Sequence, residues 1–426
     1  ATPMDESGAN LDYRAIDSFY DYPRVQGLAE MMNSYGVIHN DAEVVSKIVA
    51  SQAHHKKIDG HAPGLQGKDL DTYVAAGVYS DHECATMEDA LAKLQRGQFI
   101  MIREGTAARN LEALAPLLTP QYAERCMFCT DDKHPSDLLE KGHIDYIARE
   151  AINKYGVDPI IAVKAACHHA SRYFLLNNRG AIAPGYLADF AVIDNFKDFN
   201  VEMVFKKGVL YWNNGELRDF EAPKIEEYLD KRAHDTFHVS TLTPDDFRDT
   251  RQRGVLGMVP GEIITTDNGY ADHVDLEKDI LKIAVVERHK GTHHIGLGYI
   301  QGYGLKSGAV ATSISHDSHN IIVVGTNSAD MAFAANYIVE HHGGIVVVEN
   351  GTVKGSVVLE IAGIMSDRPL TEVNDQLEAA KDAAFTLGVS RGIDPFMTLS
   401  FMALPVIPKL RITTRGVVDV DTQQYV

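Results

Sequence analysis

Four residues of types that bind metal ions stand at the ends of short strand-like runs in the first third of the chain. They are Glu30, His61, His82 and Asp131. Each run is followed by polar turn residues, a pattern that indicates a buried strand. Because enzymes with a parallel barrel keep their chemistry at the carboxyl ends of the strands, we expect the four side chains to converge on one face.

The predicted cluster combines imidazole nitrogens with carboxylate oxygens, a donor set that suits Zn, Fe or Mn. A divalent metal in such a site lowers the pKa of bound water and makes hydroxide available near neutral pH. A neighbouring carboxylate would then take and return a proton. Each of the four residues alone is typical of a structural or solvated side chain, so the prediction of a hydrolytic metal centre depends on their convergence.

A second metal-binding pattern lies in the last of these runs, where Cys126 and Cys129 are separated by two residues. This spacing occurs in zinc deaminases of the cytidine type, which also need a His-x-Glu motif upstream and a proline before the first cysteine. Here Arg125 precedes Cys126, and the nearby acid, Glu83, directly follows its histidine. The two cysteines are therefore interpreted as buried thiols of a strand.

Two further segments are candidates for substrate binding. Arg103 and Glu104 precede a glycine at a predicted strand-to-helix turn, where charge and backbone amides can anchor a substrate. His316 and His319 lie in a polar turn, 315–320, between two β-rich runs, and a turn of this kind can reach a neighbouring active site. A solvated turn is the alternative interpretation of both segments.

The pattern around these residues alternates between strand-like and helix-like segments, which indicates βαβ units and a parallel sheet. Asp41 and Thr86 stand at positions that favour helix N-caps, and the segment after Thr86 has the spacing of a capping box. The predicted strands of this region cover residues 25–30, 57–61, 78–82, 99–103 and 125–131.

The pattern changes at residue 180. Residues 180–220 contain short β-forming runs separated by Gly and Asn turns, which predicts a small β domain. Residues 221–236 are charged and weakly apolar and are interpreted as a linker. The remaining chain predicts two larger parts: an α/β region with a parallel sheet over residues 1–179, and a C-terminal α/β or α+β domain over residues 237–426.

The composition is that of an ordinary globular protein. The chain has 426 residues, of which 45% are hydrophobic, and a formal net charge of -19. This negative charge disfavours nucleic acid and anionic membranes as partners. Four cysteines in a chain of this size do not form a disulfide framework. Since no apolar run reaches the length of a membrane span and the first residues lack the pattern of a signal peptide, we expect a cytoplasmic location.

Long motifs of the chain resemble those of bacterial adenine deaminases, a family of the amidohydrolase superfamily. The resemblance runs nearly from end to end. The motifs that carry it are Gly27-Leu-Ala-Glu-Met-Met32, Asp59-Gly-His-Ala-Pro-Gly64, Ser80-Asp-His-Glu83, Met101-Ile-Arg-Glu-Gly105, Thr130-Asp-Asp132, Gly180-Ala-Ile-Ala-Pro-Gly-Tyr-Leu-Ala-Asp189, Ser315-His-Asp-Ser-His-Asn320 and Leu404-Pro-Val-Ile-Pro408.

The resemblance implies a binuclear centre of Fe(II), Mn(II) or Zn(II) at the mouth of a (β/α)8 barrel, of which this chain would carry strands four to eight. Glu30 would be the carboxylate ligand from the fourth strand. His61 and His82 would be ligands from the fifth and sixth strands. Asp131 would be the aspartate of the eighth, a ligand that also accepts a proton from the attacking water. The implied reaction converts adenine and water to hypoxanthine and ammonia, a step of purine salvage, and the family suggests a homo-oligomer.

The chain departs from the family pattern before Glu30. Family members carry a His-x-His pair on the first barrel strand, whereas no such pair precedes Glu30. With five strand candidates where a closed barrel needs eight, we expect the first three strands and their ligands to be missing from this chain or to be present as a separate peptide. Two alternatives follow: an amidohydrolase that acts on a related aminopurine or cyclic amidine, and a catalytically inert fragment.

Overall fold

The computed structural model describes residues 2–221, 223–248, 251–259 and 262–426. The chain forms two compact units. The first unit is Leu11–Pro223, and the second unit combines Ala1–Asn10 with Lys224–Val426. The first unit therefore contains all four predicted metal ligands together with the predicted small β domain.

Short parallel strands carry the predicted ligands in the first unit. They are β1 (Gly27–Met31), β2 (Lys57–Gly60), β3 (Ser80–Asp81), β4 (Phe99–Arg103) and β5 (Cys126–Cys129). β1 pairs with β2, and β4 pairs with β3 and β5 in a second parallel ladder. A hydrogen bond of 2.9 Å from the Tyr79 N–H to the Ile58 carbonyl oxygen continues the sheet from β2 to β3. Each strand overlaps one of the five segments predicted from the sequence.

Helices separate these strands, and polar side chains cap several of them. The helices of the first unit are α1 (Tyr13–Phe19), α2 (Ser34–Ile38), α3 (Ala42–Ala53), α4 (Gly67–Ala75), α5 (Met87–Gln95), α6 (Leu111–Leu114), α7 (Pro135–Glu140), α8 (Ile144–Asn153), α9 (Pro159–Val163) and α10 (His169–Tyr173). Asp41 caps α3 by accepting from the N–H groups of Glu43 and Val44. Thr86 caps α5 by accepting from the Asp89 N–H. Both caps lie where the sequence predicts them.

The two faces of the strands have different surroundings. On β4, Ile100 and Ile102 are fully buried in a hydrophobic core that includes Ile147 and Ala148 of α8. Since successive side chains of a strand point to opposite faces, Arg103 lies on the face opposite to Ile102. The polar residues at the strand ends are therefore separated from the core that the helices cover.

The predicted small β domain contains an antiparallel sheet of four strands. They are β6 (Phe190–Ile193), β7 (Val201–Lys206), β8 (Val209–Asn213) and β9 (Glu216–Leu217), paired in this order. No residue of these strands is fully buried, and Phe190, Leu210 and Leu217 are exposed.

The second unit is built on a mixed sheet. Its order is β11-β10-β13-β12-β15-β14-β16-β17, and β18, β19 and β20 form a smaller sheet. The strands are β10 (Arg253–Met258), β11 (Thr265–Ala271), β12 (Ile280–Val286), β13 (Ile295–Gln301), β14 (Ala309–Thr312), β15 (Ile321–Gly325), β16 (Gly344–Glu349), β17 (Thr352–Val358), β18 (Leu410–Thr413), β19 (Gly416–Asp419) and β20 (Gln424–Tyr425). The helices are α11 (Glu227–His234), α12 (Ser328–Glu340), α13 (Leu370–Thr386) and α14 (Pro395–Met402). Side chains of α12 share a hydrophobic core with the central strands.

The segment interpreted as a linker, residues 221–236, contains helix α11, while its residue 222 lies outside the described residues. Glu227 and Lys231, one helical turn apart, form an ion pair with an N···O distance of 2.6 Å. The first turn of α11 carries acidic residues and its last turn carries basic residues. Both charges interact favourably with the helix dipole and stabilise this exposed helix. The charged composition of this segment is therefore that of a solvated helix, and its role as a linker stays a prediction.

Residues 2–10 pack on the second unit, which the sequence does not predict. The Ser318 hydroxyl donates to Asp5 Oδ1 at 2.8 Å, and the Asn320 side chain donates to the Glu6 carbonyl oxygen at 2.7 Å. The predicted domain boundaries placed these residues with the parallel α/β region.

None of the helices in the described parts of either unit combines the length and the apolar character that crossing a bilayer requires.

Candidate metal centre

The predicted ligands stand at the same ends of neighbouring parallel strands. Glu30 lies near the end of β1, His61 directly follows β2, and His82 directly follows β3. Asp131 lies two residues beyond β5, where its backbone is left-handed with a φ of 54°. Asp tolerates this conformation better than most residues. The carboxyl ends of four strands thus place these side chains at one edge of the parallel strands.

Glu30 lies between the two histidines. Its Oε1 is 3.4 Å from His61 Nδ1, and its Oε2 is 3.0 Å from His82 Nε2. The centroids of the two imidazole rings are 5.6 Å apart. Two imidazoles and one carboxylate therefore form a group whose ligand atoms all lie within 4.8 Å of one another.

Glu83 joins this cluster, although the sequence analysis assigned it no role. Its Oε1 is 3.3 Å from His82 Nε2 and 3.7 Å from His61 Nδ1. His82, Glu83 and Asp131 form a second group whose ligand atoms also lie within 4.8 Å of one another. The structure thus brings all four predicted ligands together and adds a third carboxylate, that of Glu83. The one feature of the sequence that could have indicated Glu83 is its position directly after His82.

The surroundings of His61 fit a bound cation. Its side chain is 4% exposed, its Nδ1 faces Glu30 Oε1 at 3.4 Å, and its Nε2 has no hydrogen-bond partner among the residues that the structure describes. Buried polar atoms are normally satisfied, so the Nε2 of this imidazole is suited to bind a ligand. The surrounding donors are imidazole nitrogens and carboxylate oxygens, which Zn, Fe and Mn accept in proteins.

Glu30 and His82 stabilise each other's charged forms in the metal-free protein. Burial disfavours both charges, but hydrogen bonds with His61 and His82 hold the pKa of Glu30 well below its usual range. Burial also opposes protonation of His82, but the carboxylates of Glu30 and Glu83 raise its pKa to about 9. Because an imidazole that binds a metal must be neutral, a cation bound to His82 would displace its proton.

Arg103 is paired with two carboxylates of the cluster. Its buried guanidinium donates to both oxygens of Glu83 and, at 2.8 Å, to Asp131 Oδ2. Its Nε donates to the Asn110 side-chain oxygen at 3.2 Å. The guanidinium therefore restrains Glu83 and Asp131, while its role in substrate binding stays a prediction.

The other residues predicted to bind substrate have separate surroundings. Glu104 accepts a hydrogen bond of 3.3 Å from the Leu111 N–H at the start of α6. His316 and His319 belong to the second unit, where the His316 ring stacks on Phe401 with 5.0 Å between centroids. Burial lowers the pKa of His319 to about 4. Substrate binding by these three residues also stays a prediction.

The two cysteines of the competing metal-binding pattern lie in β5 as free thiols. Cys126 is fully buried, which raises its pKa to about 12, whereas Cys129 is partly exposed. Neither thiol belongs to the groups of potential metal ligands found among the described residues.

Two family models match the chain. Residues 21–211 match the Amidohydrolase family, and residues 262–424 match the Adenine deaminase C-terminal domain. The first match contains the whole carboxylate and histidine cluster, and the second lies within the second unit.

Relatives with curated names are similar over the whole chain. The adenine deaminase of Desulfatibacillum aliphaticivorans is 44% identical over 434 residues, which are 100% of this chain and 75% of that protein. The adenine deaminase of Brucella anthropi is 43% identical, with 100% of this chain and 76% of that protein covered. Among solved structures, the β-aspartyl dipeptidase of Fervidobacterium islandicum AW-1 is 17% identical over 49% of this chain and 61% of that chain, with a TM-score of 0.40.

Proposed function

The chain belongs to the adenine deaminase family, and we propose that it catalyses the hydrolytic deamination of adenine to hypoxanthine and ammonia. The names of its relatives support this reaction and substrate. The structural observation that carries the proposal is the convergence of Glu30, His61 and His82 on one point. Hydrolysis of this kind uses a divalent metal to activate water, and the cluster offers suitable ligands.

We assign cation binding to Glu30, His61, His82 and Asp131. A divalent cation in this place would supply a hydroxide nucleophile near neutral pH and would offset charge that develops on the substrate. Glu30 faces both imidazoles, so it restrains the orientation of both rings. We also propose that β1 to β5 are strands of a (β/α)8 barrel, which their parallel pairing supports.

Asp131 is the proposed proton carrier. One proton must leave the attacking water, and another must reach the departing amine. The Asp131 side chain is 33% exposed, whereas the Glu83 side chain is only 4% exposed. Asp131 can therefore face a bound substrate. Arg103 holds Oδ2, which restricts the orientation of the carboxylate, and we assign proton transfer to Oδ1.

Metal analysis combined with an ammonia-release assay tests the proposal. We expect the purified protein to contain Fe(II), Mn(II) or Zn(II), up to two ions per chain, and to convert adenine to equal amounts of hypoxanthine and ammonia. Chelation should abolish the reaction, and restored metal should recover it. Hydrolysis of a related aminopurine with adenine left untouched would overturn the substrate, and full activity without metal would overturn the mechanism.

We propose in addition that the protein acts in purine salvage as a cytoplasmic homo-oligomer. Free thiols support a reducing compartment, since the four cysteines form no disulfide. Light scattering of the purified protein measures the oligomeric state, and a monomer at cellular concentration would contradict it.

A further inference from the structure

A fully buried lysine lies behind the candidate metal centre. Lys93 of α5 is 0% exposed, and its ammonium donates to Asp81 Oδ2 at 3.0 Å and to Asp89 Oδ2 at 2.9 Å. A third hydrogen bond of 2.7 Å runs to the carbonyl oxygen of Ala62. Asp81 is also 0% exposed. An ion pair in such surroundings needs several hydrogen bonds to compensate for lost hydration.

Asp81 connects the two backbone segments that carry the histidine ligands. Its Oδ1 accepts from the Ala62 N–H at 2.7 Å, and its Oδ2 accepts from the Glu83 N–H at 3.0 Å. Ala62 directly follows His61, and Glu83 directly follows His82. One carboxylate therefore joins the turn after β2 to the turn after β3.

The two strands are already close at this point. A Cβ at Gly60 would clash with the carbonyl oxygen of Ser80, so the ends of β2 and β3 approach through backbone atoms. The Asp81 carboxylate connects the chain on the two sides beyond the strand ends, while Lys93 holds that carboxylate in place and itself bonds to the Ala62 carbonyl oxygen.

We propose that Asp81 and Lys93 are positioning residues that set the separation of His61 and His82 for cation binding. The inference rests on the proposed metal centre. Replacing a buried ion pair by apolar residues is often neutral for stability, so stabilisation of the fold alone does not explain this pair. A need to fix the distance between the two turns that carry the ligands explains why the pair is present.

Asp81→Asn and Asp89→Asn form a matched pair of variants. An amide offers one acceptor oxygen where the carboxylate offers two, so Asp81→Asn loses at least one of the two hydrogen bonds to the ligand-bearing turns. We expect its Zn²⁺ affinity to fall by about 10- to 100-fold, as for other residues that orient metal ligands. Asp89→Asn changes the other carboxylate partner of Lys93, which accepts from neither the Ala62 N–H nor the Glu83 N–H, so its Zn²⁺ affinity should stay within about twofold.

A double variant separates positioning from folding. Asp81→Asn combined with Lys93→Met removes both charges of this pair and leaves Asp89 as the remaining carboxylate, so the metal-free protein should unfold at a denaturant concentration closer to that of the unmodified protein than Lys93→Met alone does. Its Zn²⁺ affinity should nevertheless remain as low as that of Asp81→Asn. The absorption spectrum of bound Co²⁺ should also differ from that of the unmodified protein, because it reports the coordination geometry.

Zn²⁺ titration of the chelator-treated full chain and chemical denaturation measure these quantities. Unchanged Zn²⁺ affinity and an unchanged Co²⁺ spectrum in the double variant would overturn the positioning role and leave the proposed metal centre standing. An equal loss of affinity in Asp89→Asn would overturn it as well, because affinity would then follow stability. Failure of the unmodified chain to bind Zn²⁺ or Co²⁺ would instead overturn the metal centre and, with it, this inference.

Discussion

At the level of single residues, Asp131 differs from the other carboxylates of the cluster in its partners. Its side chain is 33% exposed, against 30% for Glu30 and 4% for Glu83, and it pairs with Arg103 instead of with an imidazole. An amide of similar size cannot carry a proton, so we expect Asp131→Asn to fold normally and to lose at least about 100-fold in the rate of adenine deamination. Steady-state ammonia release and thermal unfolding measure the two effects.

Glu124→Gln is the control for this variant. Glu124 belongs to the first unit, but its side chain is 57% exposed and pairs with Arg172. We therefore expect the deamination rate of this variant to stay close to that of the unmodified protein. Substantial activity in Asp131→Asn would remove Asp131 as the proton carrier.

The pair of Glu30 and His82 predicts how the metal-free protein responds to pH. The pKa of His82 is raised from 6.5 to about 9 in the folded protein. Protonation of His82 therefore contributes stability that is fully present below pH 6.5 and is lost as the pH rises through about 9. Metal binding has the opposite dependence: because the cation displaces this proton, its apparent affinity should rise about tenfold per pH unit up to that pKa.

Glu30→Gln tests this pH dependence. The neutral amide removes the main cause of the raised pKa of His82, so the stability of the metal-free variant should change less between about pH 6 and pH 9. Its metal content should also fall, because a carboxylate ligand is lost. Denaturation across the pH range and metal analysis measure the two effects. The same pH profile and metal content as in the unmodified protein would contradict both the pair and the ligand role.

At the level of secondary structure, the N-cap of α5 supports the helix that carries Lys93. The Thr86 hydroxyl oxygen accepts from the Asp89 N–H at 3.2 Å, and the side chain of Thr86 is exposed. We expect Thr86→Ala to lower the free energy of unfolding by about 1 kcal/mol, and Thr86→Ser to preserve most of it. Urea denaturation of the metal-free protein measures this difference. Equal stability of the alanine and serine variants would show that the hydroxyl does not cap the helix.

Local patterns predicted the elements of the site better than its contacts. The strands β1 to β5 and the caps at Asp41 and Thr86 follow from apolar runs and from side chains that bond to nearby backbone, which are properties of a short sequence window. The burial of Lys93 could not be predicted in this way. Lysine on a helix is ordinarily solvated, and only the packed structure places it beside Asp81. Glu83 was missed for the same reason, since its partner Arg103 lies on another strand.

At the level of the whole molecule, the N-terminal residues join parts of the chain that are distant in sequence. Glu6 lies 3.0 Å from His294 Nδ1 and accepts a hydrogen bond from the Thr414 hydroxyl. Burial opposes ionisation of Glu6, but these two partners lower its pKa. No periodicity or cap signals such contacts, because they depend on the fold of the second unit. The sequence analysis placed residues 1–179 in one α/β region, so it could not assign residues 2–10 to the second unit.

The two units should unfold separately, since each contains its own hydrophobic core. We expect calorimetry to resolve two transitions. Zn²⁺ at 100 times its Kd should raise the free energy of unfolding of the first unit alone, by about 2.7 kcal/mol.

Glu6→Gln tests the packing of the N-terminal residues. It weakens the contacts to His294 and Thr414, so it should lower the free energy of unfolding of the second unit by about 1 kcal/mol. Glu227→Gln is the control, because its exposed pair contributes little. If Glu6→Gln lowered the zinc-sensitive transition instead, residues 2–10 would stabilise the first unit, in contrast to the packing seen in the structure.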